Sequence, residues 1–213
     1  MDFTPHHKIP LFQDDALFKM NTDTSALMKC MKVKKGDTVL DIGTNHGVVL
    51  LEASVYEPSW MTGIDINPLG IDLALKNMQL NHIHNVSLLC QDVTETKFDY
   101  KFDVVLSNPP YFDPEKHTSS ETQAIQNAKF SNKLDFDALL KVIQTVLKPK
   151  GKAYIVYRSS MLAQCFKSAY EHHLSITHIQ LIDDKRLSHY KTCVLTLAHG
   201  TNKPCEILKA LSL

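Results

Sequence analysis

The stretch TVLDIGTNHG, residues 38–47, passes from an apolar run into a turn that contains glycine. Short apolar runs bounded by turn residues are typical of buried parallel strands, so a strand is predicted over 38–42. Gly43 would let the backbone approach a ligand closely, and Gly47 would let the following helix pack against the strand. Asn45 stands between these glycines and tolerates a left-handed backbone better than most residues. On its own this turn is as consistent with a plain connection as with a ligand site.

Other short apolar runs repeat the pattern along the chain. These runs are MTGIDI (61–66), VSLLC (86–90), FDVVLS (102–107) and KAYIVYR (152–158). Between them, apolar residues recur at steps of three and four, which indicates amphipathic helices, one of which ends near Lys148, before Pro149. Strands that alternate with helices predict an α/β fold with a doubly wound, mostly parallel sheet covered on both faces.

The pattern changes after residue 158. A helix is predicted over 159–171, and the runs SITHIQLI (175–182) and TCVLTLAH (192–199) lie close enough to form a C-terminal antiparallel hairpin at the sheet edge. With the five earlier runs, the sheet would have seven strands. No linker or repeat divides the chain, so we expect one domain, 1–213, with a leader over 1–35. The connection over 112–134 is longer than most, which points to a substrate loop.

Composition limits the class of protein. Of 213 residues, 44% are hydrophobic and 22% charged, which suffices for a core and excludes disorder. No stretch approaches the roughly 20 apolar residues of a membrane span, and no secretory signal is recognised at the start, so we expect a cytoplasmic protein without membrane contact. The five cysteines form no close pairs, which argues against disulfides and a zinc site; we expect no metal.

Charge is divided unevenly although the formal net charge is zero. Residues 39–111 hold three lysines against nine carboxylates, so the remaining segments carry the matching basic excess. Because phosphate binding follows local charge, an anionic partner would contact those segments and avoid the acidic one. The alternative is an accident of surface composition.

Carboxylates recur where the first three strands end. Asp41, Asp65 and Asp92 would line one crevice, because the carboxyl ends of parallel strands meet at one edge of a sheet. Asp65 follows Asp41 at nearly the ~20-residue spacing of an acidic residue that binds ribose hydroxyls. Asp92 could accept from an adenine amino group. The crevice therefore suits a nucleoside ligand with positive charge and no phosphate.

The fourth strand ends in SNPPYF, residues 107–112. Pro109 and Pro110 hold the backbone extended and remove two donors, so carbonyl groups point outward. Asn108 adds a side-chain acceptor, and Tyr111 adds an aromatic face. Such acceptors could hold an amino group, while Tyr111 could stack on a base that has left its helix.

DIGTNHG, GIDINP, CQDV and NPPY, in this order, resemble the Rossmann-like class I S-adenosylmethionine-dependent methyltransferases that methylate amino groups. Within the leader, the segment QDDALFKMNTDTSALM (13–28) is similar to the corresponding segment of bacterial enzymes that methylate N6 of adenosine 37 in a valine tRNA. The resemblance implies S-adenosylmethionine as cofactor and catalytic roles for Asn108, Pro109, Pro110 and Tyr111. The cofactor-binding residues it implies are Lys19, Thr22 and Asp23 in the leader, and Asp41, Gly43, Gly47, Asp65, Ile66, Asp92, Val93 and Asn108.

The same resemblance implies tRNA, near its anticodon loop, as partner, and we expect a monomer. Two basic groups could contact RNA phosphates, although an ordinary solvated surface is equally consistent with them. They are Lys116, His117, Lys129 and Lys133 in or beside the long connection, and Lys185, Arg186 and Lys191 around the hairpin turn.

Other functions remain open. One alternative is a protein glutamine N5-methyltransferase that acts on a release factor. The amide nitrogen of glutamine is also a weak nucleophile, and the same NPPY motif could bind it. Those enzymes carry a larger helical domain before the first strand, whereas about 35 residues precede it here. DNA methylation is less favoured, since no target-recognition domain is evident. A non-catalytic RNA-binding protein that keeps the fold is the third alternative.

Overall fold

A computed structural model describes residues 1–109, 134–185 and 187–212. Its strands β1 to β10 are, in chain order, Asp2–Phe3, Pro10–Leu11, Thr38–Ile42, Trp60–Asp65, Val86–Cys90, Phe102–Ser107, Leu147–Arg158, Leu174–Asp183, Thr192–His199 and Glu206–Ser212. Its helices α1 to α5 are Thr22–Cys30, Val48–Ser54, Pro68–Leu80, Phe136–Val146 and Leu162–Glu171. The predicted strands and helices are confirmed, with small shifts at their ends.

Eight of the described strands form the central sheet, in the order β10-β8-β9-β7-β6-β3-β4-β5. Neighbours pair in parallel except at β9, which is antiparallel to both β7 and β8. The predicted hairpin is therefore present, but β9 is inserted inside the sheet, and β10 adds an eighth strand parallel to β8. The sequence predicts seven strands, one fewer than the sheet contains, because β10 is exposed along nearly its whole length and lacks a buried apolar face.

The helix predicted to end near Lys148 stops earlier. Leu147 caps α4 with its N–H on the Ile143 carbonyl, turns to extended backbone and begins β7 opposite Phe102. Leu147 continues the apolar period of the helix, so the sequence pattern alone extends the helix too far. Pairing with the neighbouring strand decides its conformation.

Successive side chains of the strands pack into two apolar layers, one on each face of the sheet, as expected for a sheet covered on both faces. Leu40 and Ile42 pack with α4 and α5 on one face, whereas Val39 packs with α1, α2 and Met78 of α3 on the other. The longest described helix, α3, has 13 residues, and none of the described helices has the length and apolarity of a membrane span.

Strand ends are aligned where the polar motifs lie. Ile42, at the end of β3, is opposite both Ile64 of β4 and Ser107 of β6, while Asp65 is opposite Cys90 of β5. The loops after these strands therefore emerge side by side. On one side of β3 the sheet continues with β4 and β5, and on its other side lies β6. Open α/β sheets form ligand crevices at the carboxyl ends of the strands where the strand order reverses in this way, and this edge is such a point.

Candidate active site

The glycine turn after β3 is left-handed at three positions. Gly43, Asn45 and Gly47 have φ angles of 76°, 49° and 79°. Asn45 occupies the position that a middle glycine has in related turns. The left-handed conformation costs asparagine less conformational energy than it costs most other residues. The N–H groups of Gly43 and Thr44 both donate to the Ile64 carbonyl, at 2.9 and 3.1 Å, which fastens the turn to β4.

The two glycines serve different purposes. A Cβ at Gly47 would lie 3.0 Å from Met78 Cε and 3.2 Å from Ala74 Cβ, so this glycine allows close packing of α3 and not, as the sequence predicts, of the helix that directly follows it. A Cβ at Gly43 would meet nothing within 4 Å. Gly43 therefore presents backbone to an open cradle, as the sequence predicts for close approach of a ligand.

Asp65 joins two loops at the strand ends. Its Oδ2 accepts the backbone N–H of Asn45 at 2.8 Å, and its Oδ1 accepts that of Asn67 at 2.9 Å. Burial raises the pKa of the Asp65 carboxyl, while the backbone donors act in the opposite direction. Gln91, after β5, donates its N–H to the Asp65 carbonyl at 3.0 Å, so a third loop joins the same edge.

Unpartnered polar atoms are concentrated in the glycine turn. In the described part of the chain, the buried side-chain atoms without a hydrogen-bond partner all belong to residues 41–46: Asp41 Oδ2, Thr44 Oγ1, Asn45 Oδ1 and both ring nitrogens of His46. Burial raises the pKa of Asp41 to about 7 and lowers that of His46 to about 4. Buried polar groups normally have partners, so such a cluster beside an open cradle is typical of a ligand site. Acceptors at Asp41 and Asp65 fit a ligand that carries an ammonium group and hydroxyls, as S-adenosylmethionine does.

Asp92 lies at the third strand end as predicted, in a local turn. Its Oδ1 accepts the N–H of Thr94 at 2.9 Å and its hydroxyl at 2.7 Å. Val93 is buried among the apolar residues on the α4 face of the sheet, together with Ile42. Ile66 is half-buried directly after Asp65.

Asparagine side chains fasten the leader to the glycine turn and to the C-terminal end of α3. Asn45 Nδ2 donates to the Phe18 carbonyl at 2.7 Å. The fully buried Asn77 accepts the N–H of Phe12 at 2.7 Å and donates to the carbonyls of Phe12 and His46 at 3.0 and 2.9 Å. Asn81 donates to the Pro10 carbonyl at 2.8 Å. The leader therefore lies against the glycine turn.

The leader residues named from the resemblance occupy different positions. Lys19 is exposed, and its Nζ forms an ion pair with Asp15. Thr22 is the first residue of α1, and Asp23 lies in its first turn.

Asn108 contacts Thr24, which is bonded in turn to Asn21, and the sequence predicts a role for neither of these leader residues. Its Nδ2 donates to Thr24 Oγ1 at 3.1 Å. Thr24 is buried, and both its N–H and its hydroxyl donate to Asn21 Oδ1, at 3.0 and 3.1 Å. The signal available in the sequence was local: asparagine before a helical segment is a favoured N-cap, here three residues before Thr24. Its link to Asn108, 84 positions away, has no sequence signature.

Several predicted residues lie outside the described part of the chain. They are Pro110, Tyr111, Lys116, His117, Lys129, Lys133 and Arg186. Pro109 is described and buried. Lys185 and Lys191 lie between β8 and β9, and the Lys191 carbonyl accepts the Ser159 N–H at 3.1 Å, just past the end of β7. They are therefore at the same sheet edge as the polar motifs, as predicted.

A concave surface lies at the amino edge of the strands, opposite the polar motifs. Its volume is about 600 Å³, and it is wide open to solvent. Its lining residues are Thr38, Trp60, Ser87, Tyr100, Lys101 and Lys148. None of the polar strand-end motifs contributes to it, and the Lys148 ammonium is held by Asp103 at 2.7 Å. The carboxyl edge is therefore the candidate active site.

Comparison with known proteins identifies the family of the chain. A family model described as the methyltransferase small domain matches residues 16–177. A tRNA1(Val) (adenine(37)-N6)-methyltransferase of a Flavobacteriaceae bacterium is 28% identical over 151 residues, 70% of this chain and 63% of that protein, so the match spans less than two thirds of the relative's length. A release factor glutamine methyltransferase of Fusobacterium nucleatum is 30% identical over 115 residues, 51% of this chain and 32% of that protein.

A solved structure has the same architecture. A ribosomal protein L11 methylase from Lactobacillus delbrueckii subsp. bulgaricus superposes with a TM-score of 0.65 at 18% identity, over 94% of this chain and 91% of that one. This likeness confirms the class I methyltransferase fold, for which S-adenosylmethionine is the expected cofactor. With the family model matched over most of the sequence and the glycine turn and strand-end carboxylates assembled at one edge, the chain belongs to the methyltransferase small domain family.

Proposed function

We propose that this chain transfers a methyl group from S-adenosylmethionine to N6 of an adenosine in tRNA, with adenosine 37 of a valine tRNA as the first candidate. The observation that carries the proposal is the position of Asn108, which follows β6 at the strand edge that holds Asp41 and Asp65. Relatives with this substrate in their names support the choice of nucleic acid.

The cofactor would be held by the residues assembled at this edge. Asp65 would accept the ribose hydroxyls, and Asp92 the adenine amino group. Gly43 would allow close approach to the backbone, while Asp41 and the leader residues Lys19, Thr22 and Asp23 would face the methionine end. S-adenosylmethionine supplies a methyl carbon made electrophilic by the adjacent sulfonium.

Asn108 and Pro109 would activate the substrate nitrogen by position. The exocyclic nitrogen of adenine is a poor nucleophile because its lone pair is delocalised into the ring. If the Asn108 side-chain oxygen and the Pro109 carbonyl each accept one N–H, the nitrogen becomes pyramidal and its lone pair turns toward the methyl carbon. As the bond between nitrogen and the methyl carbon forms, the bond between that carbon and sulfur breaks and a neutral thioether leaves. A general base is not essential, since the nitrogen becomes acidic as the new bond forms and its proton passes to water. Orientation lowers the barrier by several kcal/mol, of the ~7–11 kcal/mol available from positioning.

Binding of the RNA would use the base and its backbone separately. Tyr111 would stack on the adenine after it leaves the anticodon loop. Lys185 and Lys191, at the same edge, would contact phosphates, together with Arg186 and the basic residues Lys116, His117, Lys129 and Lys133.

A glutamine amide in a release factor is the second candidate substrate. The Fusobacterium relative favours it, and an amide nitrogen needs the same two acceptors. The two substrates differ in their demand for phosphate contacts, because only RNA carries a phosphate backbone.

Methyl transfer to defined substrates tests the proposal. Purified chain, labelled S-adenosylmethionine and an unmodified valine tRNA transcript should yield N6-methyladenosine, identified by nucleoside mass spectrometry. A transcript with guanosine in place of adenosine 37 is the matched control and should remain unlabelled. Labelling of a release factor instead of the tRNA would contradict the proposal, and so would identical nucleosides in tRNA from cells with and without the gene.

A further inference from the structure

We propose that Thr24 is a positioning residue, which orients the Asn108 side-chain amide so that its oxygen, rather than its nitrogen, faces the amino group to be methylated. This inference rests on the proposed transfer to an amino nitrogen. It assigns a role in the chemistry to a leader residue that does not itself touch the reacting atoms.

The direction of each hydrogen bond follows from a backbone donor. The Thr24 N–H can only donate, so the atom of Asn21 that it meets at 3.0 Å must be the oxygen Oδ1. The Thr24 hydroxyl lies 3.1 Å from the same oxygen and must donate its single proton there. Thr24 Oγ1 is then an acceptor toward Asn108, and only the amide nitrogen of Asn108 can donate to it, at 3.1 Å.

The orientation of this amide matters because its two ends are alike in shape and opposite in chemistry. A rotation of about 180° would replace the acceptor Oδ1 by the donor Nδ2 with little change in volume. An amino group that must lose its planarity needs acceptors for its protons, and a second donor in that place would repel it. With Nδ2 engaged by Thr24, Oδ1 is the side-chain atom left for the substrate.

Burial makes the arrangement selective. Thr24 is only 7% exposed, so water competes weakly for its hydroxyl. An unpaired Nδ2 beside Thr24 would cost more there than at the surface. The chain of bonds also begins at Asn21, the N-cap of α1, directly beside Thr22 and Asp23. Formation of the first turn of α1 and orientation of the catalytic amide are therefore coupled.

Three variants test the role of the hydroxyl. Thr24→Val keeps the shape and removes the acceptor, and we expect the single-turnover methylation rate to fall by about tenfold to a hundredfold, as for a misplaced catalytic group. The equilibrium Kd values for cofactor and for RNA should change less than about twofold, because the amide acts mainly in the transition state. Thr24→Ser should restore the rate. Ser25→Ala, which removes a hydroxyl one residue further along α1, should leave it unchanged.

A double-mutant cycle separates positioning from folding. If Thr24 acts through Asn108, Thr24→Val should have no further effect on the rate in an Asn108→Ala background. An equal loss in both backgrounds would overturn the inference, as would an unchanged rate in Thr24→Val alone. Melting temperatures of all variants identify any general loss of stability.

A spectroscopic readout decides the inference without methyl transfer. The Asn108 side-chain NH₂ signal, assigned by its disappearance in Asn108→Ala, should shift in Thr24→Val and return in Thr24→Ser. An unmoved signal overturns the positioning role. Absence of tRNA methylation by the unmodified chain would contradict the proposed function instead, so the two failures are distinguishable.

Discussion

The Asp65 carboxylate accepts the backbone N–H of Asn45 at 2.8 Å, which joins the end of β4 to the turn that follows β3. Asn67 occupies the other oxygen at 2.9 Å. Each oxygen of a carboxylate can accept about two hydrogen bonds, so Asp65 retains acceptor capacity after it has ordered both loops. One side chain thus builds the crevice and keeps lone pairs for a ligand.

Asp65→Ala should weaken S-adenosylmethionine binding by roughly 1.5–3 kcal/mol, because charge-assisted hydrogen bonds to hydroxyls are lost together with the anchor of the turn. Isothermal calorimetry measures this change. Asp72→Ala, an exposed carboxylate on α3, is the matched control and should bind normally. Undiminished affinity in Asp65→Ala, or a preference for a nicotinamide dinucleotide, would refute the assignment of the cofactor site.

Asp41 should make the stability of the ligand-free chain depend on pH. Burial raises its pKa from 3.8 to about 7, so the folded chain holds the proton more tightly than the unfolded chain. The contribution of Asp41 to the free energy of unfolding is therefore full below about pH 4 and is lost as the pH rises to about 7. Asp41→Asn should remove this dependence and raise the stability relative to the parent chain, by on the order of a few kcal/mol at pH 8.

Urea unfolding at pH 5 and pH 8 checks this expectation. The difference between Asp41→Asn and the parent chain should grow with pH, whereas the exposed Asp72→Asn should show no comparable change. Equal differences at both pH values would mean that Asp41 is ionised throughout the range.

The fold could be predicted from the sequence wherever burial imposed a pattern. The β3, β4 and β6 runs are apolar because both their faces are covered, and their ends carry the turn residues that the structure uses. β10 was missed because its side chains are exposed, so only backbone pairing with β8 defines it. Leu147 was assigned to the wrong element because its apolar side chain suits either one.

The site could be predicted only in part, for a different physical reason. Strand-end residues such as Asp41, Asp65 and Asn108 are identifiable because parallel topology brings all strand ends to one edge. The contact between Thr24 and Asn108 depends on how the leader folds back over that edge, and no period or spacing encodes it. The pairing of Lys19 with Asp15 likewise depends on side-chain orientation alone.

Asn108→Ala should lower kcat by about 10²–10³, the usual effect of removing one preorganised hydrogen bond to a transition state, with a much smaller change in RNA affinity. Single-turnover transfer to unmodified tRNA measures the rate, and filter binding measures the affinity. Near-normal turnover in this variant would exclude the proposed activation of the amino group.

Tyr111→Ala should remove the stacking of the tyrosine ring on the target adenine, a loss of roughly 1–3 kcal/mol that single-turnover methyl transfer to unmodified tRNA would measure. Tyr111→Phe keeps the ring and should be tolerated better. Equal losses in the two variants would indicate that the hydroxyl, and not the aromatic face, carries the role of Tyr111.

Lys185 and Lys191 should set the salt dependence of RNA binding. Replacing both by Gln, with Arg186 as a third position of the same group, should reduce the slope of log K against log[salt] by about one for each lost phosphate contact. Lys150→Gln, at the opposite edge of the sheet, is the matched control for charge. A slope that is the same in all variants would place the RNA surface elsewhere.

Near the glycine turn, the leader is hydrogen-bonded through its main chain. Asn45, Asn77 and Asn81 form hydrogen bonds with its backbone atoms, while the rings of Phe12 and Phe18 project outward and are 40% and 58% exposed. These hydrogen bonds do not depend on the side chains at positions 12 and 18, whereas Leu11, Ala26 and Leu27 of the leader are fully buried in the core. Substitutions at these two outward positions can therefore accumulate without loss of the hydrogen bonds that fasten this part of the leader to the turn.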